Sequence, residues 1–280
     1  MTPAAGRQAR RSWLFTPATR PERFARAGEV GADVLILDLE DAVAPGDKDR
    51  AREAALAWLA GRTGGPACAL RINGLRTRAG LDDLGTLLRA AAGPELVILP
   101  KTEAPAELLL ADALLAEAGS PARLVALIES AAGLEAAPAI ARATPRLAAL
   151  MVGTADLAAD LGTSAAWEPL LYARSRVVTA AASAGIEAID APYFDLRDQT
   201  GLEAELRAAI ALGFAAKAAI HPGQVGAVNA ALTPSAAAVA EARQILAENA
   251  KGVGVVGGRM TDEAVARRAR RILAAAGEAA

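Results

Sequence analysis

Histidine and cysteine are almost missing from this 280-residue sequence, and their scarcity excludes several classes of site. The single histidine, His221, excludes sites that need two or three imidazoles, such as His-based zinc sites. A Ser–His–Asp triad would have to use His221, and no Gly-x-Ser-x-Gly nucleophile elbow is present. Because Cys68 is the only cysteine, no internal disulfide can form, and the reducing cytoplasm is the expected location.

Aromatic rings, net charge and long apolar runs are also scarce. Four Phe, three Trp and two Tyr leave few rings for stacking on bases, and a net charge of −2 does not suggest a basic surface for binding nucleic acid. No nucleic-acid partner is therefore expected. No apolar run is long enough to span a membrane, and Met1–Arg11 lacks the apolar centre of a signal peptide. With 53% hydrophobic residues, the chain is expected to be soluble and globular, without a membrane partner.

Eight short apolar runs alternate with longer Ala-rich stretches. The runs are continuous rather than alternating, which is typical of strands covered on both faces. They are Ser12–Thr16, Asp33–Leu39, Ala67–Ile72, Glu95–Pro100, Arg123–Ile128, Leu147–Val152, Glu187–Ala191 and Phe214–Ile220. The intervening stretches, which include Pro21–Val30, Lys48–Ala60, Leu81–Ala91, Pro105–Ala118 and Leu202–Leu212, favour helices. The pattern predicts an α/β fold, a (β/α)₈ TIM barrel, with a doubly wound open sheet as the alternative.

The pattern changes after the eighth run. Ser235–Asn249 is expected to form a helix, Lys251–Arg259 a hairpin or extended piece, and Asp262–Ala275 a basic helix. We therefore divide the chain into a catalytic barrel, residues 1–232, and a C-terminal segment, residues 233–280. The second is interpreted as a lid or an oligomer contact.

Polar residues collect where the apolar runs end. In a barrel these ends meet at the C-terminal face, where active sites lie. Charges at so many strand ends would be costly unless they were paired or bound to a ligand. The residues are Asp38, Glu40, Asp41, Arg71, Asn73, Lys101, Glu129, Asp156, Asp190, Lys217 and His221.

Glu129 and Asp156 close adjacent strands, so they should be neighbours at this face. Mg²⁺ is typically held by one or two carboxylates together with water and substrate oxygens. The alternative is that each carboxylate caps the following helix or pairs with a cation. Arg71 offers a planar fork for a carboxylate, although it could equally pair with the Asp38–Asp41 cluster. Lys101 fits an ion pair better than a Schiff base.

The motifs resemble those of the citrate lyase beta-subunit-like family, relatives of malyl-CoA and citramalyl-CoA lyases. Eleven short sequence motifs occur in the same order as in the family and cover nearly the whole chain. They are Arg11-Ser12-x-Leu14-Phe15, Asp38-Leu-Glu40-Asp41-Ala-Val, Lys48 with Ala51-Arg52, Arg71-Ile-Asn73, Leu99-Pro100-Lys101, Ile128-Glu129-Ser130, Gly153-x-x-Asp156-Leu157, Leu171-Tyr172-Ala173-Arg174, Ala188-Ile189-Asp190, Gly213-Phe214-x-x-Lys217-x-x-Ile220-His221-Pro222-x-Gln224 and Gly257-x-x-Met260-x-Asp262.

The resemblance implies roles for individual residues. Glu129 and Asp156 become the metal ligands, and Glu129 also lies against the substrate. Arg71 binds the keto acid or the developing oxyanion and has a catalytic role. The remaining implied residues are Glu40 and Asp41, which hold metal-bound waters, Lys48 and Arg52, which bind substrate, and Asp262, a catalytic group supplied by a neighbouring subunit. One departure is Ala155, since many relatives carry an acidic residue directly before the aspartate ligand.

The implied function is a carbon–carbon lyase that needs Mg²⁺, with Mn²⁺ as a substitute. It would cleave or form a 3-hydroxyacyl-CoA thioester of the citryl, malyl or citramalyl type, with an α-keto acid and an acetyl-CoA-type product. The resemblance also implies a homo-oligomer, a trimer or hexamer. Two alternatives stay open: a metal-dependent pyruvate aldolase that does not use CoA, and a non-catalytic acyl-CoA-binding scaffold.

Overall fold

The structure is a computed structural model that describes residues 10–250, 252, 254–257 and 259–278. Most of Met1–Arg11 therefore lies outside the described residues, as do positions 251, 253 and 258 of the expected hairpin region. The expectations for those positions stay predictions.

Eight parallel strands close into a barrel, which confirms the predicted fold. The first strand pairs with the second on one side and with the eighth on the other, so the alternative of an open sheet was wrong. The strands are Ser12–Pro17 (β1), Val34–Asp38 (β2), Ala67–Arg71 (β3), Leu96–Leu99 (β4), Arg123–Ile128 (β5), Leu147–Val152 (β6), Glu187–Asp190 (β7) and Ala216–Ala219 (β8).

Helices fill each of the seven connections between strands. They are Arg26–Glu29 (α1), Lys48–Gly61 (α2), Arg78–Arg89 (α3), Pro105–Glu117 (α4), Ala131–Ile140 (α5), Thr154–Leu161 (α6), Leu171–Ala184 (α7) and Gln199–Leu212 (α8), followed by Pro222–Leu232 (α9). The first connection differs from the predicted helix Pro21–Val30, because it splits into a 3₁₀ turn at Pro21–Arg23 and the single turn α1. No helix within the described residues is long and apolar enough to cross a membrane.

The two-residue period of the strands separates two cores. In β2, Val34 and Ile36 join a cluster made only of strand residues, which fills the barrel interior. Leu35 and Leu37 join a larger cluster that also contains helix residues, so they face outward. A residue's position along its strand therefore decides whether it points into the barrel or toward the helices.

Three charged side chains, Asp190, Arg174 and Lys217, are buried between the sheet and the helices outside it, and the half-buried Glu205 pairs with the two cations. Lys217 on β8 donates to Asp190 Oδ2 at 2.5 Å and to Glu205 Oε1 at 2.7 Å. Arg174 donates to Asp190 Oδ1 at 3.0 Å and stacks 4.5 Å from the centre of the Trp167 ring. Because two cations balance two carboxylates, the three buried charges are tolerated where water has little access.

The chain forms two compact units, Arg11–Val228 and a second that contains Asn229–Ala280. Within the second unit, Ala236–Asn249 (α10) packs on Glu263–Ala275 (α11) through Ala242, Ala269 and Leu273. Gly254–Val256 (β9) and Arg259–Thr261 (β10) form an antiparallel pair, so a hairpin is present but ends at Thr261 rather than at the predicted Arg259. The division into residues 1–232 and 233–280, with its assigned roles, stays a prediction.

Replacing Lys217 by Met should destabilise the protein strongly, because the fully buried Asp190 and the half-buried Glu205 would both lose this partner. We expect a loss of about 3–5 kcal/mol in the free energy of unfolding, measured by urea denaturation. Arg50→Met is the matched control, since Arg50 pairs with Asp47 at the surface and its loss should cost at most about 1 kcal/mol. Equal losses in the two variants would contradict the account.

Candidate active site

A cavity of about 420 Å³ opens at the C-terminal end of the barrel. One part of its wall is apolar and contains Phe15, Leu127 and Met151, which point inward from β1, β5 and β6. Its charged lining residues are Asp38, Asp41, Arg71, Glu129 and Asp156. All five were expected at strand ends, and the closed barrel brings them to one cavity.

Arg71, the last residue of β3, is the central cation of the cavity. Its Nε and Nη2 donate to Asp38 at 2.7 and 2.6 Å, and its Nη1 lies 2.9 Å from Glu40 Oε2. The guanidinium also stacks 4.7 Å from the centre of the Phe15 ring. The predicted pairing with the acidic cluster is therefore present, and it fixes the guanidinium plane. A guanidinium has five N–H groups, so donors remain for an anion in the cavity.

Glu40 is a buried carboxylate held between two cations. Its Oε1 accepts from Lys101 Nζ at 2.5 Å, which confirms Lys101 as an ion-pair residue. Its Oε2 accepts no hydrogen bond, although Arg71 Nη1 lies close to it. Burial raises the pKa of Glu40, and the neighbouring charges of Arg71 and Lys101 oppose that shift. The acid therefore retains a site for a further donor, such as a water molecule.

Glu129 and Asp156 follow neighbouring strands, as predicted. Glu129 follows β5 and Asp156 lies in the first turn of α6 after β6, and these two strands pair. Gly153 stands between them in the chain, and a Cβ there would come within 2.5 Å of Glu129 Oε2. The glycine is thus required for the Glu129 carboxylate to occupy its place.

The electrostatics of the cavity centre on Glu129. Burial raises the pKa of Glu129 to about 8, and the negative charges of Glu40 and Asp156 act in the same direction. The backbone N–H of Lys101, which donates to Glu129 Oε1 at 2.8 Å, and the charge of Arg71 act against it. The carboxylates of the cavity therefore repel one another, and a cation would relieve that repulsion.

This donor set fits a hard divalent cation. Glu129 and Asp156 supply carboxylate oxygens, which Mg²⁺ prefers, and it commonly takes only one or two of them. Within the part of the chain that the structure describes, no three acidic, His or Cys side chains form a ready-made metal site. Water and substrate oxygens would have to complete the coordination shell.

Lys48 and Arg52, which were expected to bind substrate, have partners within the protein. Lys48 Nζ donates to the carbonyl oxygens of Leu39 and Glu40 at 2.8 and 2.6 Å. Arg52 donates to Asp83 and to Asp49, each within 2.8 Å. These contacts hold the loop after β2, which carries Glu40, against α2 and α3.

The sequence did not reveal Asp83, although it supports the site from behind. Its side chain is buried and binds Arg52, and its Oδ2 accepts from the backbone and side-chain nitrogens of Asn73. An aspartate in the middle of a helix carries no sequence signal for such a role. Asp83 takes this role because it lies on the buried face of α3.

His221 and Asp262 have local contacts. His221 Nδ1 accepts from the backbone N–H of Gly223, so the histidine stabilises its loop. Asp262 lies in the second compact unit and caps α11, since its Oδ1 accepts from the N–H of Val265 at 3.0 Å. Cap and catalytic group are not exclusive roles, and the catalytic one stays a prediction.

Comparison with known proteins identifies related enzymes. The HpcH/HpaI aldolase/citrate lyase family matches residues 11–222. An L-malyl-CoA/beta-methylmalyl-CoA lyase from Rhodobacter capsulatus is 37% identical, over 97% of this chain and 96% of the relative. A citrate lyase subunit beta-like protein from Mycobacterium tuberculosis is 38% identical, over 95% and 96% of the two chains. These matches confirm the resemblance drawn from the motifs.

Solved structures agree with the same relationship. CitE from M. tuberculosis, in complex with magnesium, acetoacetate and coenzyme A, is 37% identical with a TM-score of 0.79, covering 98% of this chain and 99% of that one. RipC from Yersinia pestis is 49% identical with a TM-score of 0.73, covering 82% and 97%.

Binding of Mg²⁺ should release a proton below pH 8. Glu129, with its pKa raised to about 8, is protonated at neutral pH, and a metal needs the carboxylate. The affinity for Mg²⁺ should therefore fall about tenfold for each pH unit below 8 and level off above it. Calorimetry at pH 7 in buffers of different ionisation enthalpy measures the released proton. Glu129→Gln should bind Mg²⁺ much more weakly, and any residual binding should release no proton. A wild-type affinity for Mg²⁺ that stays unchanged from pH 6.5 to 8.5 would contradict the prediction.

Proposed function

This chain belongs to the HpcH/HpaI aldolase/citrate lyase family, and we propose that it is a Mg²⁺-dependent carbon–carbon lyase. It cleaves or forms a 3-hydroxyacyl-CoA thioester of the citryl, malyl or citramalyl type, with an α-keto acid as the second product. The observation that carries the proposal is the convergence of Glu129, Asp156 and Arg71 on one cavity. The ligands of the CitE relative support the choice of metal and thioester.

Glu129 and Asp156 hold the metal in this proposal. A bound Mg²⁺ supplies polarisation of the keto or hydroxyl oxygen and neutralises the adjacent carboxylate. Glu40 and Asp41 hold water around the ion, and the buried Oε2 of Glu40 suits that task. Lys48 and Arg52 act on the substrate through the loop that they hold rather than by direct contact.

Arg71 meets the negative charge of the substrate. In the cleavage direction a base takes the hydroxyl proton, the carbon–carbon bond breaks, and its electron pair passes to the thioester as an enolate. The remaining N–H groups of Arg71 bind the keto-acid carboxylate or the enolate oxygen, where charge develops. The pairing of Arg71 with Asp38 fixes the orientation of the guanidinium before the substrate binds.

Asp262 of a neighbouring subunit transfers the proton at the enolate carbon. An oligomer, a trimer or hexamer, is thus part of the proposal. In the condensation direction the same carboxylate removes a proton from the acetyl-CoA-type substrate.

The test of the function is a cleavage screen with citryl-, malyl- and citramalyl-CoA, with and without Mg²⁺, that detects free keto acid. We expect turnover of at least one thioester that stops when the metal is removed. Tight acyl-CoA binding without turnover of any thioester would replace the lyase with a scaffold. Cleavage of CoA-free hydroxy acids alone would replace it with a pyruvate aldolase.

Arg71→Lys should impair catalysis although it keeps the charge, because lysine cannot present two parallel N–H groups. The loss of one such contact costs roughly 2–4 kcal/mol of transition-state stabilisation, so kcat/KM should fall by about 30- to 1000-fold. Arg78→Lys, at an exposed position on α3, is the matched control and should leave kcat/KM unchanged. An Arg71→Lys enzyme with the kinetics of the wild type would remove Arg71 from substrate binding.

Asp262→Asn distinguishes the role of Asp262 as a helix N-cap from its proposed catalytic role, since asparagine is also a good N-cap but has no carboxylate. We expect thermal stability to be retained and turnover to fall about 100-fold or more. Mixing this variant with Glu129→Gln should restore part of the activity, because hybrid oligomers combine one intact metal site with one intact aspartate. Full activity of Asp262→Asn would mean that Asp262 acts only as a helix cap. If subunits demonstrably exchange and no activity returns, Asp262 does not come from a neighbouring subunit.

A further inference from the structure

One backbone position at the rim of the cavity has an unusual conformation. Lys101 follows the end of β4, and its φ is 50°, the one positive value at a non-glycine residue among the residues that the structure describes. The left-handed region is unfavourable for an L-residue because Cβ crowds the next carbonyl oxygen. Such a conformation persists only where the surroundings hold it in place, and it is concentrated at functional sites.

The surroundings hold the backbone of Lys101 on both sides. Its N–H donates to Glu129 Oε1 at 2.8 Å, and its carbonyl oxygen accepts from Arg76 Nη2 at 3.1 Å. The next N–H, of Thr102, donates to the carbonyl oxygen of Leu127 on β5. The turn is therefore fixed against the strand that carries Glu129, and its first hydrogen bond is made to the proposed metal ligand itself.

The side chain of Lys101 reaches a different part of the cavity. Its Nζ lies 2.5 Å from Glu40 Oε1 and 3.3 Å from Asp41 Oδ1, both in the loop after β2. The Lys101 side chain is 43% exposed, whereas that of Glu40 is 5% exposed. A half-exposed ammonium adds little to folding stability, yet here it fixes the orientation of a buried carboxylate.

We infer that Lys101 is a positioning residue, whose left-handed backbone sets the carboxylate of Glu129 and whose ammonium sets that of Glu40. The inference rests on the proposed function, in which the first carboxylate binds Mg²⁺ and the second holds its water. Both acids are buried and repel each other, so hydrogen-bond donors are needed to hold their orientations, and for Glu40 the charge of Arg71 contributes as well. A single residue supplies a donor to each, which ties the end of β2 to the end of β5.

The backbone role is tested by Lys101→Gly, Lys101→Ala and Lys101→Val. All three lose the ammonium and differ in how well they tolerate a φ of 50°, with glycine best and the β-branched valine worst. Calorimetry of the substrate-free protein at pH 8.5 should give the tightest Mg²⁺ binding for Gly, about tenfold weaker binding for Val, and an intermediate value for Ala. If the Val variant does not fold, the comparison of Gly with Ala decides.

Two outcomes of this series are distinguishable. Wild-type protein that binds Mg²⁺, with three variants of equal affinity, overturns the backbone role alone. Wild-type protein that binds no Mg²⁺ overturns the proposed function and this inference with it.

The side-chain role is tested by Lys101→Met, Lys101→Arg and a double-mutant cycle with Glu40→Gln. We expect Lys101→Met to lower kcat at least tenfold with KM changed less than threefold, and Lys101→Arg to recover most of the loss. In the cycle, Lys101→Met should lower the kcat of Glu40→Gln by less than twofold, because Lys101 acts through Glu40. Arg50→Met, which also removes a surface cation, is the control. Additive losses, or a Lys101→Met variant with lowered melting temperature but normal kcat, would overturn the inference.

Discussion

The closure of eight parallel strands on a packed interior is the constraint on which the site depends. Each strand must alternate its side chains between the interior and the helix layer. Val34, Ile36 and then Asp38 point inward along β2 and its end. Ala69 and Arg71 do the same on β3. The polar residues that follow the apolar interior therefore face one another across the open end of the barrel.

That convergence brings several carboxylates close together, and the cations of the cavity offset their repulsion only in part. Asp38, Glu40 and Glu129 lie close together in a poorly hydrated space. Burial raises the pKa of Glu40 and of Glu129, and the charge of Glu40 raises the pKa of Glu129 further. Arg71 and Lys101 offset much of this repulsion through short ion pairs. In the described part of the chain, no ion pair joins Glu129 or Asp156 to a cation, and there a divalent cation has the most to contribute.

On the outer side of the barrel, the charged side chains are paired with one another. Asp190 and Lys217 fall on outward-facing positions, so they meet Arg174 and Glu205 beneath the helices rather than the cavity. All four charges are paired there, which suits a structural cluster. The barrel wall thus separates charges that stabilise the fold from charges that remain available to a ligand.

The eight apolar runs predicted eight strands of a parallel sheet, because strands covered on both faces leave continuous hydrophobic segments in the sequence. They favoured a closed barrel but left an open sheet as the alternative. They also placed Glu129 and Asp156 side by side, since adjacent strands end at the same face. The sequence alone did not show that β1 pairs with β8, because closure is a contact between distant segments. Nor did it show the left-handed turn at Lys101, since the contacts that hold that backbone come from Glu129 and Arg76 in distant segments and not from the local residues. Local pattern identified most of the charged residues at the rim. Only the tertiary structure turned Asp190 and Lys217 outward, away from the cavity, and decided which charges pair.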